Sequence, residues 1–174
     1  IELLSKSSAE LINFSASNAS YLKILETITE ISGAKYGSFN IFDENGFDFT
    51  TEAISGLKKN LQKGLSILGI EMVGAQWKHD PQRFNRTTNK TITLFNNLHD
   101  LAGNAIPSAA LTLVEKMFGL GKAAIVNISK DGLLIGDFTL VFETGTSFQY
   151  ADLVTIYAQQ VGMALEANRA NETL

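Results

Sequence analysis

From Leu133 the chain alternates with a period of two for ten residues, then changes to a helical period that carries it toward Leu174. Within 134–142 one side of the alternation collects Leu134, Gly136, Phe138, Leu140 and Phe142; the other collects Asp137, Thr139 and Val141. Alternation assigns each set to one face of a sheet. The same division occurs in 36–42, where Gly37, Phe39 and Ile41 oppose Tyr36, Ser38, Asn40 and Phe42. The apolar sets are expected to pack on the terminal helices. The mixed sets, joined by Asn127 from a neighbouring strand, should face something less dry.

The remaining elements are marked by spacing and turn chemistry. Residues 2–16 carry Leu3, Leu4, Leu11, Ile12 and Phe14 at mixed helical spacing. A second helix is expected over 18–33, with Leu22, Leu25, Ile28 and Ile31 on one stripe and Gly33 as its C-cap. Two strand-like runs, 35–42 and 47–54, flank Asp43-Glu-Asn-Gly46, and Asn-Gly between strands is a strong hairpin signal. A helix at about 56–68 is followed by a long irregular stretch to about 105, interrupted by one short strand around Thr91–Phe95. Pro107 suits the first turn of a helix reaching Met117. Lys122–Ile128 and Leu133–Phe142 form a second hairpin around Ser129-Lys-Asp-Gly132. This order predicts an α+β fold, an antiparallel β-sheet flanked by helices.

The closing segment adds a resemblance. Phe148 and Asp152 precede Leu153, Ile156, Ala158, Gln159, Gln160, Val161, Ala164 and Leu165. A Phe, three residues and an Asp opening the last helix, followed by an Ala-x-Gln-like stretch, resemble the end of the GAF family of small-molecule sensor domains. The resemblance covers nearly the whole chain, most closely Leu133–Glu166. It implies long N- and C-terminal helices packed on one sheet face, and a ligand cavity between the other face and the central loop. It also implies three parts of one domain spanning 1–174: N-terminal helices at 1–33; sheet, central loop and cross helices at 34–149; and a C-terminal signalling helix at 150–174. Strand Ile135–Phe142 and helix Tyr157–Gly162 look like those of GAF-type domains beside kinase modules. A sensor histidine kinase is therefore the expected parent, with an effector domain further along the same chain. The apolar stripe fades over Glu166–Leu174 and the first residue is Ile1, so we expect a fragment of a longer protein.

The central loop is the expected seat of function. Between Gln76 and Lys90 it holds Trp77, Lys78, His79, Pro81, Arg83, Phe84, Arg86 and Lys90 against one acid, Asp80. A basic, aromatic connector in a compact domain is often a binding loop. Arg83, Arg86 and the lysines would hold an anionic ligand, with Trp77 as a stacking wall. The sheet would supply Ser38, Asn40, Asn127, Asp137 and Thr139. No cofactor is identifiable, and the ligand is an unknown small molecule.

Several functions are disfavoured. The chain has no cysteine, so thiol catalysis, thiolate metal sites and a thiol-linked chromophore are not expected within it. Its net charge of −4 argues against nucleic-acid binding and against direct membrane contact. No run approaches the ~20 apolar residues of a membrane span, and a cytoplasmic location is expected. Gly119-Leu-Gly121-Lys122 continues with Ala123 where a phosphate loop needs Ser or Thr. Asp43–Gly46 lacks the spaced ligands of a calcium loop. His79 and His99 stand alone as candidate metal ligands. The cyclic-nucleotide branch of the GAF family has an Asn-Lys pair and a Glu where this chain has Phe142-Glu143 and Leu153. No catalytic residues are assigned. A homodimer is expected through the terminal helices, because Leu153, Tyr157, Ala164, Ala167 and Leu174 form a second stripe on the closing helix.

Overall fold

A computed structural model describes residues 2–12, 14–58, 62, 66, 73–103 and 105–172, with the backbone alone described at 2–4, 6 and 7. The strands are β1 (Tyr36–Phe42), β2 (Phe49–Ser55), β3 (Gln76–Trp77), β4 (Ile92–Phe95), β5 (Leu120–Lys130) and β6 (Leu133–Glu143). The helices are α1 (Glu2–Ile12), α2 (Asn18–Ser32), α3 (Pro81–Thr87), α4 (Leu98–Ala102), α5 (Ser108–Phe118) and α6 (Ala151–Glu172). The helix expected at about 56–68 lies mostly outside the described residues, as does Leu174.

The strands form one antiparallel sheet in the order β3-β2-β1-β6-β5-β4. The fold is α+β, as the order of elements predicted. Both hairpins fall at their turn signals. Between β1 and β2, Asn45 Oδ1 accepts from the backbone N–H of Phe47 and Asp48. Between β5 and β6, Asp131 and Gly132 both take positive φ, 54° and 78°, the pair of left-handed residues that a tight hairpin requires.

One face of the sheet is dry. Helix α2 starts where the Ser17 side chain accepts from Ser20 N–H and stops where Gly33 turns left-handed at φ 81°. It buries Leu25, Ile28 and Ile31 as expected, with Ile24 beside them, while Leu22 at the edge of the stripe is exposed. Phe39 and Phe138 sit centrally, ring centroids 4.6 Å apart. Helix α6 adds Val154, Tyr157, Ala158, Val161 and Leu165 to the same core. Gly162 lets α6 approach the sheet closely; a Cβ there would lie 3.1 Å from the Ser129 carbonyl oxygen. Tyr157 is thus part of the core and not of a free second stripe. Helix α1 also lies against α6, where the Ser8 hydroxyl donates to Gln160 Oε1.

Strand β6 departs from strict alternation. The register slips between Ile128 and Ser129, pairing Ile128 with Gly136 but Ser129 with Leu134. Ile135 is the extra residue of this bulge and joins the core. Leu134 turns with Asp137 toward the opposite face. Gly136 makes the bulge possible, because a Cβ there would stand 2.6 Å from the Asn40 carbonyl oxygen.

Candidate functional site

The second face of the sheet is roofed by α4, α5 and the segment from Trp77 to Arg83. Phe95, Leu98, Ala102, Leu111, Val114, Ala123 and Ile125 pack there as a smaller core. Beside it lies a cavity of about 240 Å³. Its floor includes Tyr36, Ser38, Asn40, Thr51, Ile54, Thr139 and Val141; Leu57, Trp77, Arg83, Leu101, Ile106 and Phe118 complete much of the wall. The lining is predominantly apolar, with polar groups gathered toward Asn40.

Those polar groups form a directed chain of hydrogen bonds. The Trp77 indole N–H donates to Thr51 Oγ1 at 3.1 Å, and the Thr51 hydroxyl donates to Asn40 Oδ1 at 2.8 Å. Asn40 Nδ2 donates to Asp137 Oδ1 at 2.7 Å and to Thr139 Oγ1 at 3.3 Å. Arg83 Nη2 closes the chain on Asp137 Oδ2 at 3.0 Å. Asp137 is 2% exposed and the Arg83 side chain 16%. A carboxylate so far from water requires this pairing, since an unpaired buried charge costs several kcal/mol. Alternation and register explain the cluster: Asn40 pairs with Asp137 on one side and with Thr51 on the other.

Arg83 reaches the sheet because the loop is not irregular there. Asp80 caps α3, its side chain accepting from Gln82 and Arg83 N–H, and Pro81 occupies the first turn. Asp-Pro opening a helix is a legible signal that the basic composition of the segment obscures. The guanidinium lies over Phe49, 4.8 Å from its ring centroid, and Phe49 stacks on Trp77. Outside this layer Phe47, His79 and Phe84 form an aromatic cluster. Asp48 ties it down by accepting from His79 backbone N–H at 2.8 Å. That bond, then the Asn45 amide, holds the Asp48 carboxyl below the usual range.

Of the residues singled out from sequence, Ser38, Asn40, Trp77, Arg83 and Thr139 meet at this cavity, and Asp137 joins them by hydrogen bonds. Arg86 and Asn127 take other positions. Arg86 donates to the Asp100 carbonyl at 2.8 Å and covers Phe95, joining α3 to α4 and β4. Asn127 Nδ2 donates to the carbonyls of Thr87 and Lys90, fixing the end of α3 to β5. Lys78 borders the cavity, but its side chain is exposed and approaches Asp48 at 3.9 Å. His99 lies beside Thr112 and Glu115 on α5, away from the His79 cluster. Among the described residues no group of three or more His, Asp or Glu could hold a metal ion. One part of the roof carries little local signal: Leu98, Leu101 and Ala102 belong to a five-residue helix, announced only by Asn97 as its N-cap.

No family model and no curated protein matches this chain in sequence. Its fold, however, matches solved structures. The chromophore-binding domain of the bacteriophytochrome RpBphP3 from R. palustris superimposes with a TM-score of 0.68 at 12% identity, over 98% of this chain and 61% of that one. The corresponding domain of the Stigmatella aurantiaca bacteriophytochrome gives 0.65 at 12% identity, over 95% and 59%. A domain assigned to a two-component sensor histidine kinase of Sinorhizobium meliloti gives 0.57 at 20% identity, over 92% and 97%. The chain thus spans about three fifths of the bacteriophytochrome fragments. The GAF-like fold implied by the closing segment is the fold found.

Proposed function

We propose that this chain is a small-molecule-sensing regulatory domain of a signal-transduction protein, and that its parent is a sensor histidine kinase of a two-component system. The observation that carries the reading is the apolar cavity with a hydrogen-bonded polar cluster at one end. Its wall is largely apolar, so a molecule that displaces water from it gains the free energy of apolar burial, and concave, largely apolar sites with a few directed polar groups are what small ligands occupy. The fold shared with a phytochrome chromophore-binding domain and with a domain of a two-component sensor histidine kinase protein supports the same reading.

A route from the site to the closing helix is present. Arg83 rests on Phe49, Phe49 packs on Phe42, and Arg169 of α6 donates to the Phe42 carbonyl at 3.2 Å. A ligand that binds two arrangements of α3 unequally would pass that difference to α6. In this reading, residues 150–174 form the signalling helix, an effector follows in the same chain, and two copies pair through the terminal helices. Ile12, Ile156 and Met163 are exposed and support the pairing. The segment itself has no catalytic role. With no cysteine in the chain, a thioether to any chromophore would need a cysteine from outside these residues. No helix among the described residues is long and apolar enough to cross a membrane; a cytoplasmic location is part of the proposal.

The same exposed residues favour a second reading, in which the fold only pairs chains. Native mass spectrometry of the purified chain separates the two. A retained small molecule, or a metabolite that raises the melting temperature, is expected. Protein that carries nothing and responds to no member of a broad metabolite library would leave the scaffold reading.

A further inference from the structure

The cavity changes character along β1. At one end Tyr36 meets Phe118 edge-to-face at 6.1 Å; at the other stands Asn40 with its hydrogen-bonded partners. At ~3.3 Å per residue the two ends lie about 13 Å apart. Arg83 is paired with Asp137 at 3.0 Å. Lys78 borders the cavity with its side chain 90% exposed, and the acid Asp80 borders it too. A second anion beside the Arg83–Asp137 pair would meet a cation already engaged and, over most of the wall, apolar side chains.

What remains unused at the floor is a pair of hydroxyl protons. Ser38 and Thr139 are register partners on adjacent strands, and both line the cavity. Thr139 Oγ1 accepts from Asn40 Nδ2 at 3.3 Å, and Ser38 Oγ lies 3.5 Å from the same nitrogen, whose two protons go to Asp137 and Thr139. A hydroxyl also has one proton to donate, and among the described residues neither donates it. These protons are available to an acceptor within the cavity.

We infer that the cavity takes an uncharged, largely apolar molecule of one or two rings, with a single hydrogen-bond-accepting oxygen held by the hydroxyls of Ser38 and Thr139. The inference rests on the cavity being a ligand site and names the chemistry of its ligand. A void of ~150 Å³ accepts benzene, and about 240 Å³ accepts a fused bicycle. Anionic phosphates and carboxylates are disfavoured by the pairing of Arg83 with Asp137 and by the mostly apolar wall, which departs from the anionic ligand expected from the loop's composition.

Isothermal titration with indanone, indane, benzoate and cyclic GMP tests this directly. Indanone should bind about tenfold more tightly than indane, the ratio corresponding to one ordinary hydrogen bond, and neither anion should bind. The isosteric pair Ser38→Ala and Thr139→Val should lower indanone affinity to that of indane and leave indane unchanged. Val114→Trp, which fills the cavity, should abolish binding of both while circular dichroism stays that of the parent. Equal affinity for indanone and indane in the parent chain would overturn the assignment. So would tighter binding of benzoate or cyclic GMP; if Val114→Trp abolished that binding, the cavity would remain a ligand site and only the ligand class would fall. Binding of none of the four overturns the class too, and the search for a retained molecule then judges the sensor reading independently.

Discussion

The two faces of one sheet are built by opposite rules. The helix-facing side is close-packed: Phe39, Phe138, Leu25, Ile28 and Val154 are each 0% exposed, and the Tyr157 hydroxyl buried among them is hydrogen-bonded with Thr27. The other side keeps a void of about 240 Å³ and places a buried ion pair at its edge. Close packing fixes the strands in register, and that rigidity lets the opposite face hold Asn40, Thr139 and Asp137 in line around unfilled space. The difference separates the part of the molecule that is packed solid from the part that keeps open space beside a polar cluster.

The largest effect expected from breaking this division is on the dry face. Phe138→Ala should destabilise the chain by about 3–5 kcal/mol in urea denaturation, because a fully buried ring leaves a cavity that its neighbours only partly close. A loss under ~1 kcal/mol would mean that this face is not the packed one. On the cavity face, Arg83→Met should cost about 3 kcal/mol by stranding Asp137 as an unpaired buried carboxylate. Adding Asp137→Asn should recover most of that loss. Failure of the second substitution to compensate would show that Arg83 acts through its contact with Phe49 and not through its charge.

How far these two faces could be read from sequence follows from what each depends on. Parity in β1 and in the later part of β6 revealed which residues share a side, because a strand's period is fixed by its backbone. Gly33 and Asp131-Gly132 marked chain reversals, because few residues tolerate positive φ. The bulge at Ile135 was hidden, since one inserted residue leaves the composition of the strand unchanged while reversing Leu134. Helix α3 was hidden for another reason: seven residues are too few for a hydrophobic period, and only Asp80-Pro81 announced it. At the site, strand alternation brought Ser38, Asn40, Asp137 and Thr139 onto one face, but the partners of Arg83, Arg86 and Asn127 depend on tertiary packing that no local pattern encodes.

A pH titration probes the dry face without altering its volume. Burial, the largest cause, pushes the Tyr157 hydroxyl up from 10.0 to about 12. A raised pKa means that the folded state holds the proton more tightly than the unfolded chain. Its stabilising contribution is therefore complete below pH 10 and is lost as pH rises from about 10 to about 12. Two pH units correspond to roughly 2–3 kcal/mol. Denaturation midpoints measured across this window should fall in the parent and fall less in Tyr157→Phe. Parallel decline in both proteins would place the alkaline loss elsewhere.

The smallest effect distinguishes the two faces most directly, because one substitution type is expected to change sign between them. Val154→Leu inserts a methylene into a region with no free volume: Val154 is 0% exposed and enclosed between α6 and the sheet. Overpacking of this kind costs about 1–3 kcal/mol, as side chains leave their rotamers or the helix shifts. Val114→Leu makes the same chemical change on α5, where the side chain borders the cavity. There the added methylene enters apolar space and should stabilise by ~0.8 kcal/mol, the transfer free energy of one buried CH₂. Chemical denaturation of both variants, with slopes compared to confirm that the unfolding transition itself is unchanged, provides the measurement. Opposite signs would establish that the void exists in solution and lies under α5. Two losses of similar size would mean that the space beside Val114 is already filled by protein, and the ligand reading would lose its cavity.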